Sequence, residues 1–194
     1  MHFYGEYFKS AGYTYAIKTR DLDFLVPIPA KFKRQVDIPE MLKDLGFIVQ
    51  FGGMRGWIKL SHPELIIEFL VPERGKGSDK PFPLLQLGLN AQPLRFLDLL
   101  VDNLIKIRIE GLYLKVPHPA AFALHKLIIS KRRAKQDKKD KDIAQALNVF
   151  NALIAKQEEG SIRNLFKCLI PKWQKKVLQT LEEIEAERIL AILK

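Results

Sequence analysis

Asp21 and Asp23 are separated by one residue and run straight into Phe24-Leu25-Val26, an apolar strand-like segment that Pro27 closes. Side chains alternate across a strand, so both carboxylates point to one face. With Cα atoms roughly 6.6 Å apart they can lean together on a single hard cation. An Asp-x-Asp alone is a weak signal, because most such pairs are solvated turn acids. A further acid, Glu68, interrupts the apolar run Leu65-Ile66-Ile67-Glu68-Phe69-Leu70 and shares its strand face with Ile66 and Leu70. Burying a carboxylate there without a partner is costly or forces protonation, which leaves a salt bridge, a sheet-edge position or a metal.

Basic residues supply the complementary chemistry. Lys126, Ser130 and Arg133 follow i, i+4, i+7 spacing and so share one cationic helical face, with Lys141-Asp142 further on. Carboxylates for a metal and cations for phosphate are the parts of a phosphoryl-transfer site. Lys126 is flanked by apolar residues, and a lysine that merely snorkels past the core fits the same pattern.

Other motifs argue against rival chemistries. His2, His62, His118 and His125 show no zinc-ligand spacing. Cys168 is the only cysteine, set in Leu165-Phe166-Lys167-Cys168-Leu169-Ile170, so it reads as core filler and no intrachain disulfide can form. Gly52-Gly53-Met54-Arg55-Gly56 lacks the phosphate-loop spacing and lies between two strand-like runs, as a hairpin turn would. No G-x-G-x-x-G occurs, which removes the support for a dinucleotide fold.

The elements that must position these residues read as follows. Residues 2 to 18 are aromatic-rich, and if Gly5 opens a helix there its backbone N–H groups make a phosphate seat. Asp37-Ile38-Pro39-Glu40 starts a helix with the stripe Ile38, Met41, Leu42 and Leu45, which Gly46 ends. Strands are expected at 47 to 51, 57 to 60 and 65 to 70. The polar loop 73 to 80 reads as solvated, with a lid over a charged ligand as the sharper possibility. Pro93 to Leu100 has helical spacing, and 105 to 109 with 112 to 116 forms a hairpin around Glu110-Gly111. Helices are expected over Ala120 to Arg133, about Asp140 to Lys156, Ser161 to Leu169 and Lys172 to Leu193. Gly160 and Pro171 mark their boundaries. The fold class is therefore α/β (α+β): a mixed-sheet core over residues 1–116 and a C-terminal helical region over 117–194.

A length of 194 residues with 47% hydrophobic composition is ample for a buried core. The formal net charge of +10 favours anionic partners such as nucleotides or nucleic acid, though a basic solvated surface gives the same figure. No run of eighteen apolar residues and no basic leader followed by an apolar core is seen. The expectation is a cytoplasmic protein with no membrane partner.

At this point the chain resembles the nucleotidyltransferase-fold superfamily that includes DNA polymerase beta. It is most similar to an uncharacterised bacterial branch, distantly related to abortive-infection nucleotidyltransferase toxins. The matching pieces are Thr19-Arg20-Asp21-Leu22-Asp23-Phe24, Ile67-Glu68-Phe69-Leu70, Leu94-Arg95-Phe96-Leu97-Asp98, Val116-Pro117-His118-Pro119, and His125-Lys126-Leu127 through Lys141-Asp142.

The resemblance implies a mixed sheet carrying three catalytic, metal-binding carboxylates, Asp21, Asp23 and Glu68, with Mg²⁺ or Mn²⁺ as cofactor and a nucleoside triphosphate such as ATP as substrate. Gly5, Thr19, Lys126, Arg133 and Lys141 are the implied nucleotide-contacting positions, and Asp142 the implied helix anchor. Gly5-Glu6 stands where the superfamily carries Gly-Ser or Gly-Gly. The implied reaction moves a nucleoside monophosphate to a hydroxyl on RNA, a protein or a small molecule. Two other readings stay open: a catalytically silent member that binds nucleic acid or a partner protein, and a metal-dependent nuclease.

Overall fold

The structure, a computed structural model, describes residues 3–9, 20–29, 32–52, 56–73 and 80–194. Thr19, the tip of the glycine cluster at 53–55 and most of the polar loop, 74–79, lie outside the described residues. The elements are α1 (Phe3–Phe8), β1 (Asp21–Leu25), α2 (Ile38–Lys43), β2 (Ile48–Gly52), β3 (Trp57–Ser61), β4 (Ile66–Pro72), β5 (Phe82–Leu84), β6 (Leu89–Leu94), α3 (Asp98–Val101), β7 (Leu104–Ile109), β8 (Leu112–Pro117), α4 (Pro119–Ser130), α5 (Gln136–Ala155), α6 (Glu159–Lys167), α7 (Pro171–Glu183) and α8 (Glu187–Leu193). They form two compact units, one of Lys18–Val101 and one of Met1–Ile17 with Asp102–Lys194.

In the first unit β4 is central. β1 runs parallel along one edge of it, from Ile66 to Leu70. A strand has only two edges, so β3 and β6 share the other, β3 antiparallel at Ile66–Glu68 and β6 parallel at Leu70–Pro72. Asn90 bridges the place where they diverge, accepting from the Ile58 N–H at 2.7 Å and donating to the Gly56 carbonyl at 3.3 Å. β2 adds outside β3 as a hairpin and β5 outside β6, giving the order β2-β3-β4-β6-β5 with β1 off that path. The sheet is mixed, as expected.

One face of this sheet is apolar. Leu60, Ile67, Phe69, Val71, Leu89 and Ala91 are buried there, with Ile38 and Leu42 packed against the cluster. Asp37 caps α2, its side chain accepting from the Glu40 N–H, and Gly46 ends the turn after the helix at φ +82, a left-handed conformation that glycine takes without strain.

The expected helix from Pro93 to Leu100 is mostly strand and turn. Leu89–Leu94 is β6, and only Asp98–Val101 is helical. Phe96 has φ +69, which breaks a right-handed helix at that point. Pro93 fits a strand here because it lies beyond Ala91, the last β6 residue paired with β5, so its missing N–H leaves no bond to β5 unmade.

In the second unit β7 and β8 form their own two-stranded sheet, turning at Glu110 and Gly111, both at positive φ as a tight hairpin turn requires. α4 packs on α5 through fully buried Leu124, Leu127 and Ile128 on one and Ala146, Val149, Phe150 and Leu153 on the other. That is the i, i+3, i+4, i+7 stripe of a buried helix face. Tyr4 and Phe8 of α1 are buried in the same unit, and the Tyr4 hydroxyl donates to the Pro117 carbonyl at 2.6 Å. The expected single helix from Lys172 to Leu193 is two, because Glu185 takes φ +54 and lets the chain turn so that both α7 and α8 bury their apolar stripes.

The units divide the chain at 17/18 and 101/102 rather than at the expected 116/117. The His118 N–H bonds to the Asn103 carbonyl and α1 packs on β7, so the hairpin and α1 belong with the helices. No helix among the described residues is long and apolar enough to cross a membrane.

Candidate functional site

The face of the sheet opposite the apolar cluster carries the acids. Asp23 and Glu68 are register partners across β1 and β4, and Asp21 stands opposite Ile66 in the same pair. Register partners rise from the same face, and period-two alternation adds Asp21, so the three carboxylates share one side of the sheet. Asp21 and Asp23 are exposed.

Glu68 has a second neighbour. Lys59 is its partner across β3 and β4, and the Lys59 Nζ forms an ion pair with Glu68 Oε1. Gln50, Lys59, Glu68 and Asp23 thus make one row across four strands. Among the described residues, no three His, Cys, Asp or Glu side chains stand close enough to hold a metal ion. The donor chemistry nonetheless fits a hard cation: three carboxylates on one face, two of them exposed, beside one that is neutralised by an ammonium.

The adjacent row on the same face is Ile48, Ser61, Ile66 and Asp21. Ile48 and Ser61 line an open cavity of about 430 Å³ together with Arg20, Gly46, His62 and Pro63.

The sequence-predicted cations lie in the other unit. Lys126 donates to Asp142 Oδ1 at 2.8 Å and Arg133 Nε to Asp142 Oδ2 at 2.6 Å. Asp142 is only 3% exposed. Burial pushes its carboxyl up, but hydrogen bonds from Arg133 and Lys126 and their charge outweigh that and leave it below the usual carboxylate range. The structure thus brings Lys126 and Arg133 together on Asp142, the expected anchor. The shared cationic face is altered: Ser130 is fully buried, bonding to the Leu127 carbonyl, and Arg133 lies beyond the end of α4. Lys141 is exposed and forms no ion pair among the described residues. Gly5 lies within the six-residue α1 rather than before it.

Sequence reasoning missed a second polar cluster in this unit. Tyr7 donates to Glu158 Oε2 at 2.6 Å, Lys156 pairs with Glu158 Oε1 at 2.9 Å, and the Lys156 ammonium lies 3.5 Å from the Tyr7 ring centre. Burial, then the bond to Glu158, raises the Tyr7 hydroxyl well above its usual range. His118 caps α4, its Nδ1 accepting from the Ala120 N–H at 3.1 Å, and burial holds its pKa below the usual value. Only the His-Pro at a helix start signalled any of this in the sequence.

The sequence model of a family described as nucleotidyltransferase matches residues 3–167. The chain belongs to that nucleotidyltransferase family. No curated protein matches it. The match takes in β1, β4 and the acidic face between them, and most of the helical unit through α6.

Proposed function

We propose that this nucleotidyltransferase-family chain is a metal-dependent enzyme that transfers a nucleoside monophosphate from a nucleoside triphosphate to a hydroxyl acceptor on RNA, a protein or a small molecule. The observation that carries the reading is the register of Asp23 on Glu68, which sets Asp21, Asp23 and Glu68 on one exposed sheet face. A distant kinship with abortive-infection nucleotidyltransferase toxins is part of the same proposal and rests on the segments quoted above.

Asp21, Asp23 and Glu68 are the residues that would hold Mg²⁺ or Mn²⁺. Such ions, when bound, activate an attacking hydroxyl and neutralise a departing pyrophosphate. The carboxylates themselves orient the charged face and no covalent nucleophile is needed. Lys141, which is exposed, is a position that the resemblance assigns to phosphate. Lys126 and Arg133 are committed to Asp142, through which they hold α4 and the turn after it to α5.

The test is transfer itself. With α-labelled nucleoside triphosphates, Mg²⁺ and a panel of RNA, protein and small-molecule acceptors, label should move to an acceptor with release of pyrophosphate. The Asp21→Asn, Asp23→Asn double variant should abolish both. Hydrolysis of RNA or DNA without transfer would favour a nuclease instead.

The alternative is a silent family member that binds nucleic acid. It is favoured by the Lys59–Glu68 ion pair and by the exposed cations Arg132, Arg133, Lys135 and Lys138. Nucleic-acid binding that falls steeply with salt and weakens in an Arg132→Ala, Arg133→Ala, Lys135→Ala variant, with no transfer to any acceptor, would select it.

A further inference from the structure

We infer that Lys59 is a built-in counter-cation of the acidic face, competing with the divalent metal for Glu68. The inference rests on the assignment of Asp21, Asp23 and Glu68 proposed above.

Glu68 is flanked in register on both sides, by Asp23 on β1 and by Lys59 on β3. Asp23 repels its carboxylate and Lys59 attracts it, so both neighbours favour the β3 side until a cation stands between the two acids. Reaching Lys59 takes it toward β3, away from β1 and the two aspartates, and that is where its Oε1 is bound. The lysine is a built feature rather than a loose surface charge. Its side chain crosses over Gly52 of β2 so closely that a Cβ there would stand 2.5 Å from Lys59 Cε and 2.6 Å from Trp57 Nε1. Gly52 is buried beneath them, and the ammonium is held over the sheet with the lysine side chain 32% exposed.

A primary ammonium and a divalent cation cannot both draw on one carboxylate at contact without strong mutual repulsion. Glu68 therefore has two states. In one it neutralises Lys59. In the other it joins Asp23 on the cation, and Lys59 is released. A released ammonium stands on the same face as the aspartates, where an arriving triphosphate brings negative charge for it to meet. In this account Lys59 keeps the acidic face partly neutral when no metal is bound, and sets the metal concentration at which the third carboxylate is recruited.

The test measures metal binding without nucleotide or turnover. Free Mn²⁺ is followed by its electron paramagnetic resonance signal during titration of the wild type, Lys59→Met, Asp23→Asn, Glu68→Gln and the Lys59→Met, Glu68→Gln double variant. Methionine keeps an apolar stem over Gly52, and Lys59→Gln serves as a second neutral variant should Lys59→Met not fold. Removing a partly exposed ion-pair partner should tighten Mn²⁺ binding about fivefold. The gain should vanish when Glu68 is glutamine, because the competition acts through that carboxylate. Unchanged or weaker binding in the neutral variants, with wild-type binding saturable and lost in Asp23→Asn, would overturn the role of Lys59 and leave the metal site standing. No saturable binding in the wild type or either neutral variant would remove the metal assignment and this inference with it.

Discussion

Asp23 and Glu68 stand directly opposite each other across the parallel pair of β1 and β4, although far apart in the chain. That pairing turns two separate acidic signals into one face, and the opposite face of the same strands is the apolar floor that fixes the register. Ile67, Phe69 and Val71 are buried there, so a slip of one residue would bury Glu68 and expose the core. Hydrophobic burial on one side thus positions the carboxylates on the other.

Gly52 permits the arrangement around Lys59. Gly52→Ala would place a methyl group against Lys59 Cε, Trp57 Nε1 and Trp57 Cδ1 in a buried position. Overpacking of this kind costs about 1–3 kcal/mol, and chemical denaturation should show a loss in that range. An alanine variant as stable as the wild type would mean that Lys59 and Trp57 move aside without cost.

Asp142 ties Lys126 of α4 and Arg133 of the following turn to α5. Asp142→Asn leaves both cations facing a neutral amide, and the expected loss lies toward the low end of about 3–5 kcal/mol, since Arg133 is partly exposed. Its pH dependence has a fixed sign. The folded-state pKa is lowered, so the contribution is fully present above the unfolded value of about 3.9 and is lost as pH falls through the folded value beneath it. The free energy of unfolding measured from pH 5 down to pH 2 should therefore fall more steeply for wild type than for Asp142→Asn; parallel curves would contradict the assignment.

His118 titrates in a higher window. Burial lowers its folded pKa, and its Nδ1 must stay unprotonated to accept from the Ala120 N–H. The unfolded chain then binds the extra proton first, so stability declines as pH drops below about 6.5 and levels off under the folded pKa. His118→Ser keeps a capping acceptor, and its melting temperature should lose that dependence between pH 7.5 and 5. An unchanged slope in the variant would place the titration elsewhere.

Much of this was legible in the sequence, for identifiable reasons. Asp21 and Asp23 could be placed on one face from period-two alternation alone, and the Glu68 strand and the Glu110-Gly111 hairpin followed from pattern and turn chemistry. Lys59 could not be foreseen as the partner of Glu68, because which residue stands opposite depends on the β3–β4 register, and neither strand states it locally. Pro93 to Leu100 imitates a helix because Leu94, Leu97 and Leu100 repeat every third residue, while tertiary pairing of Leu89–Leu94 with β4 and β5 overrides that spacing. Lys126 and Arg133 carried the right charge, but their joint commitment to Asp142 arises only when α4 packs on α5. The break at Glu185 left no trace, since glutamate rarely takes a left-handed conformation.

The most direct measurement of the central claim is calorimetric titration of nucleoside triphosphate with Mg²⁺ into the wild-type chain and the Asp21→Asn, Asp23→Asn variant. Saturable binding to the wild type that needs the metal and is lost in the variant, whose unfolding transition stays cooperative, is the predicted result. Equal binding by both proteins, or wild-type binding indifferent to chelation of the metal, would contradict the assignment of the acidic face.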